Sequence, residues 1–558
     1  MTIMKQYKFL ALCALIAAAV SCDLTEKPTS FYAKETYFDS YTKAKMAVMG
    51  IYDVISETQH YGQWEMALPS SDDTYYLKSA TEIDNKRYDI ANYVVTSSNQ
   101  WLTMIWQHKY TGIDRASFAA AGIEGMAGYA ENDELKALVA EAKFLRAFFA
   151  FDLIKYWGDV PFKTNYSSGY EDAFQPRKPR EEIYDAIIDD LTFAKAHLKS
   201  GAGLSPETPS KGAAHALMMR VLLQRAGYSL QMDGKMTRPD DATRKTYFDA
   251  VITEWEELTE EGYHGFYDDG FVELFKGYSD YSRSLNSKES LWEMGFEPMG
   301  DSFADNEGVW GTWNGPEVAA PDAAAGNSDV MGRANAFFRV MPAWKNFFED
   351  TDVRRDVMVC TYMYQWKNGA HVKKENTVDK WYPGKWRREW MPLGFVNPNN
   401  VSTNYCPLRY ADAVLMAAEA YNETGNTTKA LELINLVRAR SGATPITLDG
   451  NYAELMKAPK VYDLSFISDA DAQGKIRTIL YWERGFELAF EGQRKYDLIR
   501  WNIISDALKL FQDNMDAKLK GKYVAGTNFQ TGKHELFPIP LTELQANHKL
   551  ENKQNPGY

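Results

Sequence analysis

The run "ELKALVAEAKFLRAFFAFDLIKYWGDVPF", residues 134–162, restricts the fold more than any other stretch of the chain. Leu135, Leu138, Val139, Ala142, Leu145, Phe149 and Leu153 recur at helical spacing along one face, and Phe144, Phe148 and Phe151 form a second. A helix that is apolar on two faces must be covered from both sides. It therefore belongs inside a stack of helices, not on top of one. Gly158 and Pro161 end it.

Helical periodicity recurs over 39–57, 181–198, 211–226, 245–260, 409–423, 428–441 and 474–490, and several of these stretches fall into pairs. In "RYADAVLMAAEAYNETGNTTKALELINLVRARSG", residues Ala418, Tyr421, Ala430, Ile434 and Val437 stand at offsets 0, 3, 12, 16 and 19. That spacing resembles the tetratricopeptide repeat, in which small residues let the two helices of a hairpin approach closely. "TGNT" supplies the turn, and Thr427 or Thr428 is expected to cap the second helix. With 558 residues the chain has room for one large helical domain built in this way.

Between about 262 and 408 the character changes to Gly, Pro, Asn, Trp and Tyr, and only "ESLWEMGF" reads as a strand. Loops this long are functional or disordered. Their aromatic content argues against disorder. The expectation is a mainly α fold, with a helix-pair scaffold, an irregular loop-rich part and a few short strands.

The N-terminus carries Lys5 and Lys8, then the apolar run "FLALCALIAAAV", too short to span a bilayer, then small residues before Cys22. This order resembles a bacterial lipoprotein signal, with Ala19 where a leucine is usual. The alternative is plain secretion with an incidental cysteine. The expected organisation is a signal at 1–21, a lipid-anchored tether at 22–38 with lipid on Cys22, and a single domain at 39–558. No later stretch has the apolar length of a transmembrane helix. Cys360 and Cys406 have no metal spacing and could pair or stay free.

Formal net charge is −14, and the part after residue 21 is more negative still, because that segment's only charges are its two lysines. Such a surface repels nucleic acid. No HExxH, GxSxG or P-loop pattern is present, and the eight histidines are scattered. No metal, cofactor or catalytic residue is expected. Glu483, Glu487 and Glu491 repeat every four residues beside Arg484 and Arg494. They read as an ion-pair network that fixes the last helices, not as acid–base chemistry.

Taken in order, the lipoprotein-like start, "EAKFLRAFFAFDLIKYWGDVPF", "KGAAHALMMRVLLQRAGY", "DVRRD" at 352–356, "PLRYADAVLMAAEAYNETG", "ILYWERGFELAFEGQRKYDLIRW" and the tail "ELFPIPLTELQANHKLENKQNPGY" resemble the SusD/RagB family of surface glycan-binding lipoproteins. The resemblance implies a tetratricopeptide-like scaffold, a non-catalytic role and outer-membrane anchoring through lipid. It further implies delivery of an oligosaccharide to a SusC-like TonB-dependent transporter. An all-helical glycoside hydrolase, or a transporter lid for another nutrient such as peptides, is the alternative.

A sugar ring presents flat C–H faces between hydroxyl edges, so exposed aromatics beside polar groups are the features to seek. "EGVWGTWNGP" offers Trp310, Trp313 and Asn314 in a glycine-rich loop; the rings could instead pack back onto the scaffold. Family members tend to use a region like "WEMALPSSDDTYYLKS" and then one like "NKRYDIANY". The resemblance therefore points to Tyr75 and Tyr88, with Asp73 as polar partner. Tyr75 and Tyr76 point opposite ways in an extended stretch, so only one of them can face ligand. "WYPGKWRREW" reads first as a cation–π ladder that steadies its own loop.

Overall fold

The doubly apolar run is a buried helix, as its pattern requires. In the computed structural model, residues 37–76, 84–280, 288–296, 307–456, 462–551 and 553–558 are described. The expected signal and most of the tether, including Cys22, lie outside these residues. The principal helices are α1 (Tyr41–Ser56), α2 (Gln100–Glu124), α3 (Asp133–Trp157), α4 (Arg180–His197), α5 (Lys211–Ala226) and α6 (Asp241–Glu260). They are followed by α7 (Gly270–Asp280), α8 (Tyr410–Glu423), α9 (Thr427–Arg440), α10 (Ala472–Leu488), α11 (Arg494–Arg500) and α12 (Ile504–Asp513). α3 packs against both α2 and α4, α5 against α6, and α8 against α9. The fold is mainly α.

α2 was not legible from periodicity, because Lys109 and Gly112 interrupt its apolar stripe. Both are buried by design of the packing. Lys109 pairs with Asp152 at 2.9 Å, and a Cβ at Gly112 would run into the Phe149 ring of α3. The missing side chain lets the two long helices close on each other. The α8–α9 hairpin follows the expected spacing, with Ala418, Ala430, Ile434 and Val437 fully buried. Its cap is Asn426, whose side chain accepts from the Lys429 N–H, and not either threonine.

The loop-rich part holds more strand than its sequence suggested. β1 (Thr74–Tyr76) pairs antiparallel with β3 (Phe338–Val340), and β2 (Ser290–Met294) with β6 (Tyr405–Arg409). β4 (Tyr362–Lys367) and β5 (Ala370–Glu375) form a hairpin. β1, β2, β3 and β6 are short and buried along their whole length, so no long apolar–polar alternation marks them. Cys360 and Cys406 are both buried and unpaired.

The glutamate ladder on α10 is an ion-pair network. Arg354 reaches Glu483 at 2.6 Å, Arg409 reaches Glu487 at 2.7 Å and Glu289 at 2.6 Å, and Lys385 pairs with Glu491. Burial alone would raise the Glu487 carboxyl, but Arg440, Arg409 and Arg354 outweigh it and hold it well below the usual range. One turn away, Arg484 and Arg220 bond Asp412 at 2.8 and 2.5 Å. Against the effect of burial they keep its pKa down at about 2.

Two outcomes follow from this packing. Gly112→Val should destabilise by about 1–3 kcal/mol through overpacking at Phe149, read from urea unfolding; an unchanged midpoint would mean the ring swings clear. Asp412→Asn should cost about 3–5 kcal/mol at neutral pH by leaving buried arginines unpaired. Asp412 has a depressed folded pKa, so its contribution is present above the unfolded value of 3.8 and is lost as pH falls towards about 2. The gap between wild type and variant should therefore narrow by about 2 kcal/mol across that window. A gap that stays constant from pH 5 to pH 2 contradicts this.

Candidate functional site

The β1–β3 pair organises one end of the loop-rich part. Its register sets Tyr75 opposite Arg339 and Tyr76 opposite Phe338. Alternation sends the two tyrosines to opposite faces, as expected. Tyr76 is the one that joins the other aromatic candidates. Its ring lies 6.0 Å from Tyr88, edge-on, and 6.0 Å from Phe337, stacked. Tyr75 turns the other way, towards Tyr523 and the Asp379 carbonyl, and burial pushes its phenol up to about 12.

Arg87, in the turn of helix at 87–91, stands at the centre of this face. Its guanidinium lies 4.1 Å from the Phe337 ring centroid, 4.8 Å from Trp313, 5.6 Å from Trp101 and 5.7 Å from Tyr76. Its Nε donates to the Tyr76 hydroxyl at 2.6 Å. Trp101 and Trp313 stack at 6.0 Å, and Phe337 meets Trp313 edge-on at 4.7 Å. Trp101, Trp313 and Tyr76 are buried, whereas Arg87 and Phe337 are half-buried and open outward. Among the described residues the remaining guanidinium N–H groups make no hydrogen bond. The result is a flat ring beside fixed, unspent donors, which is what stacking on a saccharide and holding its hydroxyls requires.

The expected ligand residues need correcting on exposure. Asp73 is 3 % exposed, Tyr75 3 %, Tyr88 1 %, Trp310 3 %, Trp313 7 % and Asn314 6 %, so none offers an open face. Trp310 stacks on Tyr405 at 4.3 Å with the rings 2° from parallel, and its indole donates to the Tyr61 carbonyl. Asp73 and Asn314 share a different task. Asp73 accepts from the Phe490 N–H at 3.0 Å, and the Asn314 amide donates to the Phe490 carbonyl at 3.4 Å. Phe490 sits at φ +69° just past α10, a backbone state that a bulky residue holds only when its surroundings impose it. Trp313 and Tyr88 do belong to this end of the molecule, as the ring walls behind Arg87 and Tyr76. The residues sequence reasoning missed are Tyr76, Arg87, Trp101 and Phe337. Arg87 lay inside "NKRYDIANY", but nothing in the sequence shows that four distant rings converge on it. In "WYPGKWRREW" the ladder is Arg387 over Trp390 at 4.5 Å, while Trp386 packs on Trp310.

One set of side chains among the described residues has metal-ligand geometry: His215, Glu254 and Glu257. Lys195 already supplies the cation there, at 2.6 Å from Glu254 and 3.1 Å from Glu257. The set reads as an ion pair between α4, α5 and α6.

Two family models match the chain. One, described as "SusD family", covers residues 341–558, and the other, "Starch-binding associating with outer membrane", covers 24–223. The chain belongs to the SusD/RagB family. A SusD-like protein, P25, of Formosa agariphila is 25% identical over 98% of both chains. The crystal structure of a SusD homolog from Bacteroides thetaiotaomicron superposes with a TM-score of 0.77 at 24% identity, covering 94% of this chain and 98% of that one. Surface glycan-binding protein A from Bacteroides fluxus gives 0.67 at 19% identity, covering 93% and 100%. No helix among the described residues is long and apolar enough to cross a membrane.

The packing roles predict a separation of effects. Trp313→Ala should cost about 3–5 kcal/mol in urea unfolding, as for other buried aromatic truncations. Phe337→Ala, half-buried, should cost only about 1–2 kcal/mol. Equal costs would place Phe337 in the core and remove it from the site.

Proposed function

We propose that this chain is a cell-surface binding protein for a neutral oligosaccharide, which it passes to a SusC-like TonB-dependent transporter. The carrying observation is the half-open Phe337 ring beside the unspent guanidinium donors of Arg87. Four ring faces already balance the cation, so the neutral hydroxyls of a stacked sugar suffice to complete its hydrogen bonding. Family membership and the glycan-binding name of the Bacteroides fluxus neighbour support the same ligand class. The role is binding without bond cleavage. Lipid on Cys22 would hold the domain at the outer membrane, facing outward, with the transporter as a second contact. A single lipid chain is a marginal anchor without such help. Trp313 and Tyr88 then serve as rigid backing behind Arg87 and Tyr76, while Asp73 and Asn314 hold the backbone of Phe490.

Titration against a panel of neutral and charged glycans tests this reading. At least one neutral oligosaccharide should bind. Phe337→Ala and Arg87→Ala should each weaken it at least tenfold with the fold intact, and Arg87→Lys should not restore it, because the planar fork is lost. A panel without any binder removes the glycan reading, and transporter co-isolation in that case would favour a lid for another nutrient such as peptides. Release of new reducing ends from a bound polysaccharide would favour a hydrolase. Separately, Cys22→Ala should move the protein from the membrane fraction to the soluble one; retention in a strain lacking the transporter would contradict the lipid anchor.

A further inference from the structure

We propose a second saccharide-binding cleft on the scaffold, formed by Trp106 and Tyr110 of α2 with Phe162 and Phe174. The cleft has a volume of about 690 Å³, within the range of sites that enclose a small organic ligand. It is independent of the Arg87 face. Trp101 and Trp106 are five positions apart on one helix, so they point about 140° apart around its axis.

The ring orientations are fixed before any ligand arrives. Trp106 lies 5.1 Å from Trp157 of α3 at 89° and 4.9 Å from Tyr110. Tyr110 is anchored by its hydroxyl, which donates to the Pro161 carbonyl at 2.6 Å. Phe174 meets Tyr170 edge-on at 4.9 Å. Trp106 is only 3 % exposed as a residue, but its indole N–H makes no hydrogen bond among the described residues and is not sealed from solvent, and its ring lines the cleft. The side-chain amides of Gln107 and Asn165, also in the lining, are likewise unspent.

Charge selects the ligand class. Each ionised group of the lining already has a partner. Lys163 bonds Asp172 at 2.8 Å, Arg115 bonds Asp53 at 2.8 Å, Asp114 accepts from the Ser167 N–H at 2.6 Å, and Glu543 accepts from Asn547 at 2.9 Å. Aromatic walls, free amides, an indole donor, two ion-paired cations and two carboxylates that meet only neutral donors fit a short neutral oligosaccharide better than an anionic one, since its ring faces stack while its hydroxyls both donate and accept. The other large cleft, about 550 Å³ beside Trp501, also has aromatic walls, in Tyr228, Phe248 and Phe466, but its lining is strongly charged. Arg477–Glu423 and Arg500–Glu419 pairs occupy its polar groups.

The experiment follows the Trp106 indole ¹H–¹⁵N resonance in the purified protein, assigned with Trp106→Phe. Maltotriose, cellotriose, laminaritriose and mannotriose are titrated, with a uronic-acid trisaccharide as the charged control. At least one neutral trisaccharide should shift the resonance saturably, and the charged one should act at least tenfold more weakly. Phe174→Ala combined with Asn165→Ala should weaken the response at least tenfold, while Phe337→Ala leaves it within twofold. Near-ultraviolet circular dichroism checks that the double variant is folded. No shift with any trisaccharide, a preference for the charged one, or an unchanged titration in the folded double variant overturns the proposal. Binding that responds only to Phe337→Ala overturns this cleft and leaves the Arg87 site standing. Binding that responds only to the double variant does the reverse.

Discussion

The buried ion network around α10 is the constraint on which the remaining architecture rests. Glu483 and Glu487 are fully buried, and the cations paired with them come from three separate segments: Arg354, Arg409, and Arg438 with Arg440 on α9. None of these charges can be buried until all the segments have arrived, because an unpaired ion in the interior is far more costly than a paired one. Hydrophobic burial tolerates sliding, whereas a bidentate guanidinium does not. The network therefore fixes the register in which the loop-rich part sits on the helical scaffold. Just before β1, Asp72 pairs with Arg494 at 2.8 Å, and Arg494 also donates to the Tyr481 carbonyl of α10, so the start of β1 is tied to the same helix.

This network also explains why the fold was legible. The stretches that carry the family resemblance, "DVRRD", "PLRYAD" and "ERGFELAFEGQRKYD", supply Asp352 and Arg354, Arg409 and Asp412, and Glu483, Glu487, Glu491, Arg494 and Asp497. The α3 helix was readable because its apolar periodicity is uninterrupted. α2 was not, because its stripe is broken by Lys109 and Gly112, whose burial makes sense only beside Asp152 and Phe149. In the loop-rich part "ESLWEMGF" was readable and is β2, whereas β1, β3 and β6 were not, because each is a few residues long and owes its state to a partner distant in sequence.

The candidate site was less legible than the fold. Sequence can locate aromatics in loops, and two of those it singled out, Trp313 and Tyr88, pack with the rings around Arg87 and Tyr76. It cannot tell a ring that presents its face outward from one that forms the wall behind it. That distinction depends on where Arg87 and Phe337 come to rest, and so on β1–β3 pairing across more than 250 positions of chain. The alternation argument about Tyr75 and Tyr76 was sound, but the choice between them needed the register.

Cys360 and Cys406 are buried and separate, so no covalent link reinforces the described fold. Burial raises both thiols above their usual range, which keeps them as inert thiols while the protein is folded. On a cell exterior this has a kinetic consequence. A single unfolding event would expose two thiols to oxidants in a chain with no repair pool around it. Once joined, the pair could not regain the native arrangement, because each cysteine occupies its own site. Unfolding would then act as a one-way step, and the working lifetime of the protein would be set by the height of the unfolding barrier more than by the equilibrium stability. The ion network, which holds Arg409 on the strand of Cys406 and Arg354 six residues before Cys360, is well placed to raise that barrier.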